Sequence, residues 1–384
     1  MMKLTPEQQE RYSRHLRIPG FDEAAQLKLR EGSVLVIGAG GLGSPASLYL
    51  AAAGVGKIGI ADFDRIERHN LQRQILYTDR QTGHSKAREA KARLESLNPE
   101  VHVVLHEQGI DPGNVREILR SYDVILDGSD NFATRYLIND ATFLERKPLV
   151  YGSVFQFEGQ VMVLNDREEA PCYRCLFPQP PKPGTVPNCN EAGVVGALCG
   201  IVGSLQAMES IKLLTGLGQV MSGCLMKIDV FNARFPSIRL TKDPACPLCG
   251  KHPTIRDIHP EDYAVPCALP DVVVEELAHL PMEVDLDQAK ALVDAGQVYL
   301  LDIREPDEAE ICQIQGSAFI PMGEVPLRVN EIPQDKPVIA YCHHGARSLR
   351  VAHFLRSKGF EGCCSMRGGI DKWAVRFDPG MQRY

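Results

Sequence analysis

The chain has 384 residues, 44% hydrophobic and 24% charged, a balance typical of soluble globular proteins and long enough for two or three domains. A net charge of −7 with no Lys/Arg-rich run argues against a nucleic-acid binder. The start, Met1 to Glu7, lacks the apolar core of a signal peptide; in a cytosolic protein the twelve cysteines point to ligands, nucleophiles or core residues rather than disulfides.

From about Ser33 to Phe231, short apolar runs alternate with helical stretches, the α/β pattern of a mostly parallel sheet covered by helices. Strands are predicted at 34–37, 58–61, 101–105, 124–126 and 149–151, and helices at 45–53, 86–97 and 194–214. From Val34 to Gly56 no charge occurs for long enough to span a bilayer. That stretch holds six glycines and Pro45, however, so a strand, a tight turn and a buried helix explain it, and no membrane span is expected. Between Lys251 and Met282 lie Pro253, Pro260, Pro266, Pro270 and Pro281 without sustained periodicity, which reads as a linker. A shorter α/β pattern comes after it, giving domains at 1–252 and 283–384 joined by 253–282. At ~3.1 Å per extended residue, the thirty-two residues from Lys251 to Met282 would reach up to ~100 Å.

The strand at 34–37 runs into Gly38-Ala39-Gly40-Gly41-Leu42-Gly43, a G-x-G-x-x-G turn feeding a helix N-terminus. Glycine there lets backbone approach phosphates, and the helix dipole favours them. Asp62, with Asp64 close by, sits where a carboxylate would hold a ribose hydroxyl. Taken alone, this turn fits an NAD-dependent oxidoreductase at least as well as an ATP enzyme. Charged residues farther along the chain separate the two. Asn70-Leu71-Gln72-Arg73-Gln74 and Lys86 bring two cations, and Asp127-Gly128-Ser129-Asp130-Asn131 brings carboxylates to the edge of a later strand. A triphosphate needs cations on its oxygens and a carboxylate for Mg²⁺, whereas a dinucleotide pyrophosphate needs neither.

Two C-x-x-C pairs, Cys172/Cys175 and Cys246/Cys249, would give four thiolates, the closed set of a structural Zn²⁺ site. Cys189 lies just ahead of an uncharged helix-like stretch, either a nucleophile with lowered pKa or a structural cysteine in a crossover loop. Cys199, Cys224, Cys267, Cys312, Cys363 and Cys364 are read as packing residues or exposed thiols. Near the end, Val338 to Tyr341 reads as a strand that stops at Cys342-His343-His344-Gly345-Ala346-Arg347, and Ser348 to Lys358 reads as a helix. A cysteine so placed meets backbone N–H groups and a positive helix end, which stabilise a thiolate or an anion carried on it.

Arg11-Tyr12-Ser13-Arg14-His15, the glycine turn, Asp62-Phe63-Asp64, NLQRQ, Lys86 and DGSDN together resemble the MoeB/ThiF family over residues from about 5 to 250. These bacterial relatives of ubiquitin-activating enzymes adenylate the C-terminal glycine of a small ubiquitin-like sulfur carrier ending in Gly-Gly, using Mg·ATP. The resemblance implies a Rossmann-like fold and makes Gly41, Asp62, Asn70, Arg73, Lys86, Asp130 and Asn131 the nucleotide residues. It further implies that Arg14 reaches into the partner subunit's site of a homodimer, and it matches Cys189 to a cysteine that bonds covalently to the carrier. Residues 283–384 resemble a single rhodanese domain: besides the Cys342 loop they carry LLDIREPDE from Leu300 and RGGIDKW from Arg367. A six-residue loop suits a sulfane sulfur, where the related phosphatases use one residue more. His343 and His344 depart from the residues common there; they either help lower the thiolate pKa or are merely exposed.

Together these resemblances imply a cytosolic adenylyltransferase and sulfurtransferase, with molybdopterin synthesis as the leading pathway. Thiamine, cysteine or siderophore synthesis and tRNA thiolation are alternatives. A cysteine desulfurase or thiosulfate would load Cys342. Outside this class stand the NAD oxidoreductase and a non-catalytic module docking a ubiquitin-like partner, against which Asp130 and Cys342 both argue.

Overall fold

Ser33–Ile37 (β1) is buried along its whole length and lies near the middle of an eight-stranded sheet. The computed structural model describes residues 3–179, 193–263, 280–294, 296–333 and 336–384, and the chain divides into two units, Met1–Cys267 and Ala268–Tyr384.

In the first unit, α1 (Pro6–Arg11) and α2 (Glu23–Glu31) precede β1, each opened by a side-chain cap: Thr5 with Gln8, and Asp22 on the Ala25 N–H. Next come α3 (Gly43–Ala53), β2 (Lys57–Ala61), α4 (Lys86–Leu97), β3 (His102–His106), α5 (Val115–Arg120), β4 (Val124–Asp127) and α6 (Phe132–Leu144). After β5 (Leu149–Phe155) and β6 (Glu158–Leu164) come a short α7 (Tyr173–Leu176), a long α8 (Gly196–Thr215), β7 (Cys224–Asp229), β8 (Ser237–Arg239) and α9 (Pro260–Tyr263). The strand order is β3-β2-β1-β4-β5-β6-β7-β8. The first five strands are parallel, and β6 to β8 add on antiparallel. The chain reverses direction across the sheet between β1 and β4, which opens a crevice at their carboxyl ends.

Burial follows the sequence periodicity. Ala87, Ala90 and Leu94 form the buried stripe of α4, while every residue of β4 is buried. The uncharged run from Val34 resolves into β1, the glycine turn and α3. Among the described residues one helix, α8, is long and apolar enough to cross a membrane, and it packs on α3 and across β4, β5 and β6.

In the second unit, β9 (Glu283–Val284), α10 (Leu286–Asp294), β10 (Tyr299–Asp302), α11 (Pro306–Ile311), β11 (Ala318–Phe319), β12 (Val338–Tyr341), α12 (Ala346–Ser357), β13 (Cys364–Met366) and α13 (Gly369–Phe377) form a wholly parallel sheet of order β11-β10-β12-β13-β9. Just past the end of β10, Arg304, fully buried, is gripped by the Asp302 carboxylate through Nε and Nη2 at 2.9 and 2.6 Å.

The stretch read as a linker differs from that reading at both ends. Arg116 pairs with Asp257 at 2.6 Å, and the Tyr263 hydroxyl donates to the buried Asp140 carboxylate at 2.7 Å, so residues 253–263 lie on the first unit. Leu280 is buried in the second unit, and its carbonyl accepts from Arg356. A reach counted over all thirty-two residues is therefore too long, because both ends are held by burial and buried hydrogen bonds.

Asp140 also grips Arg174, through Nε at 2.8 Å and Nη2 at 2.6 Å, and so ties α7 and α9 to α6. Removing the carboxylate leaves a buried cation unpaired. Asp140→Ala is expected to cost about 3–5 kcal/mol in urea unfolding of the first unit, and Tyr263→Phe only about 1 kcal/mol.

Candidate nucleotide cleft, thiol cluster and sulfur loop

The crevice at the ends of β1, β2 and β4 is lined by Gly38, Gly40 and Gly41 on one side and by Asp62, Asp64, Arg73 and Lys86 on another, with Asp130 and Asn131 across from them. Gly38 takes φ +87°, and a Cβ at Gly43 would lie 1.9 Å from the Gly38 carbonyl oxygen, so the turn needs glycine at both positions. Gly40 shows ordinary clearance at its Cβ position, leaving bare backbone facing the cleft.

Asp62 is buried and braces the turn, accepting from Ala39 N–H and Asp64 N–H at 2.8 Å each. Burial pushes its pKa up, against the pull of the Lys86 charge and those two hydrogen bonds. The buried Lys86 ammonium donates to Asp64 at 2.8 Å, so a phosphate in this cleft would share that cation with a carboxylate. Arg73 and Gln74 sit on a turn whose N–H groups both bond to the Asn70 carbonyl. Asn70 itself is buried and is not among the lining residues; it supports the turn that carries Arg73. Gly43 also lies behind the lining, and Arg14 is exposed on the segment after α1. The Asn131 side-chain oxygen caps α6 through Thr134 N–H at 2.9 Å, which leaves its amide group for a ligand.

Several lining residues escaped sequence reasoning: Phe63, Gln74, Ser129, Thr134, Arg135 and Cys199. Arg135 had a legible signal, since it lies one helical turn beyond the strand-end carboxylates, and its Nη2 donates to the Ser129 carbonyl at 3.1 Å. Cys199, read as a packing or exposed thiol, is buried beside Gly41 on the first turn of α8. Gln74 is buried and its Oε1 has no hydrogen-bond partner among the described residues, an acceptor suited to a ligand donor. Cys189 lies outside the described residues.

The four knuckle cysteines converge. All their Sγ atoms lie within 4.8 Å of one another, with contacts of 3.3 Å between Cys175 and Cys249 and 3.5 Å between Cys172 and Cys246. Zn–S bonds of about 2.3 Å in a tetrahedron imply S–S edges of about 3.8 Å, so this donor set fits zinc. The N–H groups of Asp243 and Cys249 point at Cys175 and Cys246 Sγ, as they would toward thiolates.

In the second unit, Cys342 ends β12 with its side chain buried. Its Sγ accepts from Gly345 N–H at 3.1 Å and lies 3.6 Å from the Ser348 hydroxyl, at the N-terminus of α12. Gly345 takes φ +103°, which turns that N–H inward. The loop is carried on the RGGI turn: Ile370 and Asp371 N–H bond to the Cys342 and His343 carbonyls, and a Cβ on Gly369 would come within 2.3 Å of both oxygens. Burial, with His344 beside it, brings His343 down to about 4. His343 is therefore neutral near pH 7 and does not supply the charge that would favour a thiolate. The cation that the loop itself carries is Arg347, and its guanidinium is gripped by Glu308.

Residues 12–248 match the ThiF family. The chain belongs to the ThiF family. It carries in addition a rhodanese-like domain matched over residues 285–376. Among ThiF-type relatives, the probable adenylyltransferase/sulfurtransferase MoeZ of Mycobacterium tuberculosis is 40% identical over 99% of this chain and 96% of its own length. The adenylyltransferase and sulfurtransferase MOCS3 of Drosophila willistoni is 38% identical, covering 100% of this chain and 86% of the relative. A crystal structure of E. coli MccB with ATP shares the fold, at TM-score 0.55 and 22% identity, over 62% of this chain and 74% of that one. The two matched regions fall one in each unit.

For the thiol cluster, metal analysis of purified protein is expected to give about one zinc per chain. Cys172→Ser with Cys246→Ser should lose it and lower the melting temperature of the first unit.

Proposed function

We propose that this chain adenylates the C-terminal glycine of a ubiquitin-like sulfur carrier and then delivers sulfur to it from Cys342, giving a thiocarboxylate for molybdopterin synthesis. The observation that carries this reading is the pairing, in one chain, of a glycine-turn cleft with cations and carboxylates and a buried cysteine cupped at a helix N-terminus. A carboxylate is a poor electrophile until it becomes a mixed anhydride with AMP. A persulfide is a nucleophile with no target until that anhydride exists.

In the cleft, Gly40 and Gly41 would offer backbone to the phosphates, Asp62 would meet the ribose, and Arg73 and Lys86 would balance charge as pyrophosphate leaves. The unpartnered Oε1 of Gln74 supports a ligand with donor groups. Asp130 would hold Mg²⁺, whose charge screens the phosphate oxygens when bound. Arg14 of each protomer would serve the partner subunit's cleft, which makes the working form a homodimer. An NAD oxidoreductase is disfavoured, since hydride transfer has no use for this set of cations and carboxylates.

The Cys342 thiolate would take the sulfane sulfur of thiosulfate, with sulfite leaving, or that of a cysteine desulfurase persulfide, with the desulfurase thiol leaving. Its terminal sulfur would then attack the adenylate carbonyl and expel AMP, forming an acyl disulfide. A second thiol, for which Cys189 is the candidate, would attack the Cys342 sulfur and release the thiocarboxylate, leaving a disulfide between the two cysteines that a dithiol reductant would return to two thiols before the next loading. The same chemistry could serve thiamine, cysteine or siderophore synthesis or tRNA thiolation, because the carrier sets the pathway.

Separated half-reactions test this. Asp130→Ala is expected to lower carrier-dependent ATP–pyrophosphate exchange by about 100-fold or more, with thiosulfate:cyanide sulfurtransfer intact; Cys342→Ala should do the reverse. Unchanged exchange in Asp130→Ala would remove the nucleotide assignment. Thiocarboxylate released at the wild-type rate by Cys189→Ser, with no build-up of the carrier–Cys342 acyl disulfide, would demote Cys189 to a loop residue.

A further inference from the structure

The coil after α13 returns over the Cys342 loop and is fastened there twice. Arg383 bonds to Asp371 at 2.8 Å, and Asp371 N–H bonds to the His343 carbonyl. Tyr384 lays its ring on His343, with centroids 4.2 Å apart and planes at 16°, and His343 stacks on its other side against His344. The Tyr384 hydroxyl accepts from the buried Arg304 at 3.0 Å and donates to Glu308 at 3.1 Å. Glu308 takes both terminal nitrogens of Arg347, the last residue of the loop.

This chain of contacts runs from a half-exposed aromatic ring to Arg347, the cation that closes the Cys342 loop. Burial works against the Glu308 charge, but the Arg347 hydrogen bonds and the Glu305 N–H bring its pKa down to about 2, so the carboxylate stays ionised and the clamp stays closed. A guanidinium that is free to rotate would favour a sulfur anion less, since its value there depends on a fixed direction.

We propose that Tyr384 is a positioning residue for sulfur transfer: its ring walls one side of the Cys342 loop at His343, and its hydroxyl acts through Glu308 to fix Arg347. The inference rests on the reading of Cys342 as the sulfur carrier. Arg304, itself locked by Asp302, sets where the hydroxyl can sit, and so ties the loop to the buried pair at the end of β10. The groups facing His343 are His344, Asp371, Glu308 and Arg347, with the Tyr384 ring covering it from the coil.

The test uses the full chain in thiosulfate:cyanide transfer, with proton NMR titration of His343. Tyr384→Phe keeps the ring and loses the hydroxyl; it is expected to lower kcat/KM by about tenfold while His343 still titrates low. Tyr384→Ala should lose at least as much rate and let His343 titrate near its ordinary value of about 6.5. Glu308→Gln should show the same defect as Tyr384→Phe, and the double variant no more than either, as expected of one relay. Wild-type kcat/KM in both tyrosine variants, with His343 unmoved in Tyr384→Ala, would overturn the inference. So would fully additive losses of Tyr384→Phe and Glu308→Gln. Absence of Cys342-dependent transfer in the unmodified chain would instead overturn the reading on which it rests.

Discussion

The first turn of α3 lies so close to the strand before it that a single added methyl at Gly43 would meet the Gly38 carbonyl oxygen at 1.9 Å. A third backbone segment joins the contact at Gly128, where an added Cβ would sit 2.8 Å from the same oxygen. With no side chains between them, β1, α3 and the end of β4 present their polar backbone to one small volume. The brace around it is polar too. Asp62 holds Ala39 N–H, Tyr77 donates to the Ala39 carbonyl at 2.9 Å, and the buried Asp127 accepts from Ser129 through both backbone and hydroxyl. Burial raises the pKa of both carboxylates, so the cleft holds its shape against a cost in desolvation.

The second unit repeats this device at a smaller scale. A buried strand ends, a glycine with positive φ turns an N–H inward, and a helix begins. In the first unit the space enclosed is wide enough to be lined from three strands and three helices. In the second it closes around one sulfur atom. The difference lies in where glycine stands. Gly40 faces an open cleft, whereas Gly369 presses the supporting turn against the loop carbonyls. The same helix-end electrostatics can thus serve a chain of phosphates or a single sulfur anion.

Much of this was legible because it obeys short-range rules. The strand-turn-helix at 34–53 and α4 from Lys86 to Leu97 emerged where periodicity and glycine placed them. The antiparallel strands β6 to β8 did not. β5 runs on to Phe155 and turns back at Gln156 with φ +52°, a left-handed conformation no glycine announces, and β8 is exposed throughout. Partner choice also stayed hidden. That Lys86 pairs with Asp64, that Asn131 caps a helix and that Arg347 answers to Glu308 are contacts between residues whose types alone allow many partners. The linker is shorter than its composition suggests, because proline count says nothing of a tyrosine finding a buried carboxylate more than a hundred positions earlier.

Cys342 is only 2% exposed, with its thiol behind the loop that cups it. A bare thiol so recessed is out of reach of broad electrophiles, and a thin donor is the shape that can load it. One added sulfur extends the side chain by about 2 Å, outward, since the inward side is filled by Ser348 and the core of the sheet. Under the proposed function, loading would do more than change the chemistry of the group: it would carry the reactive atom outward from that sheltered place. The same recess that would aim a loaded sulfur outward shelters the bare thiol.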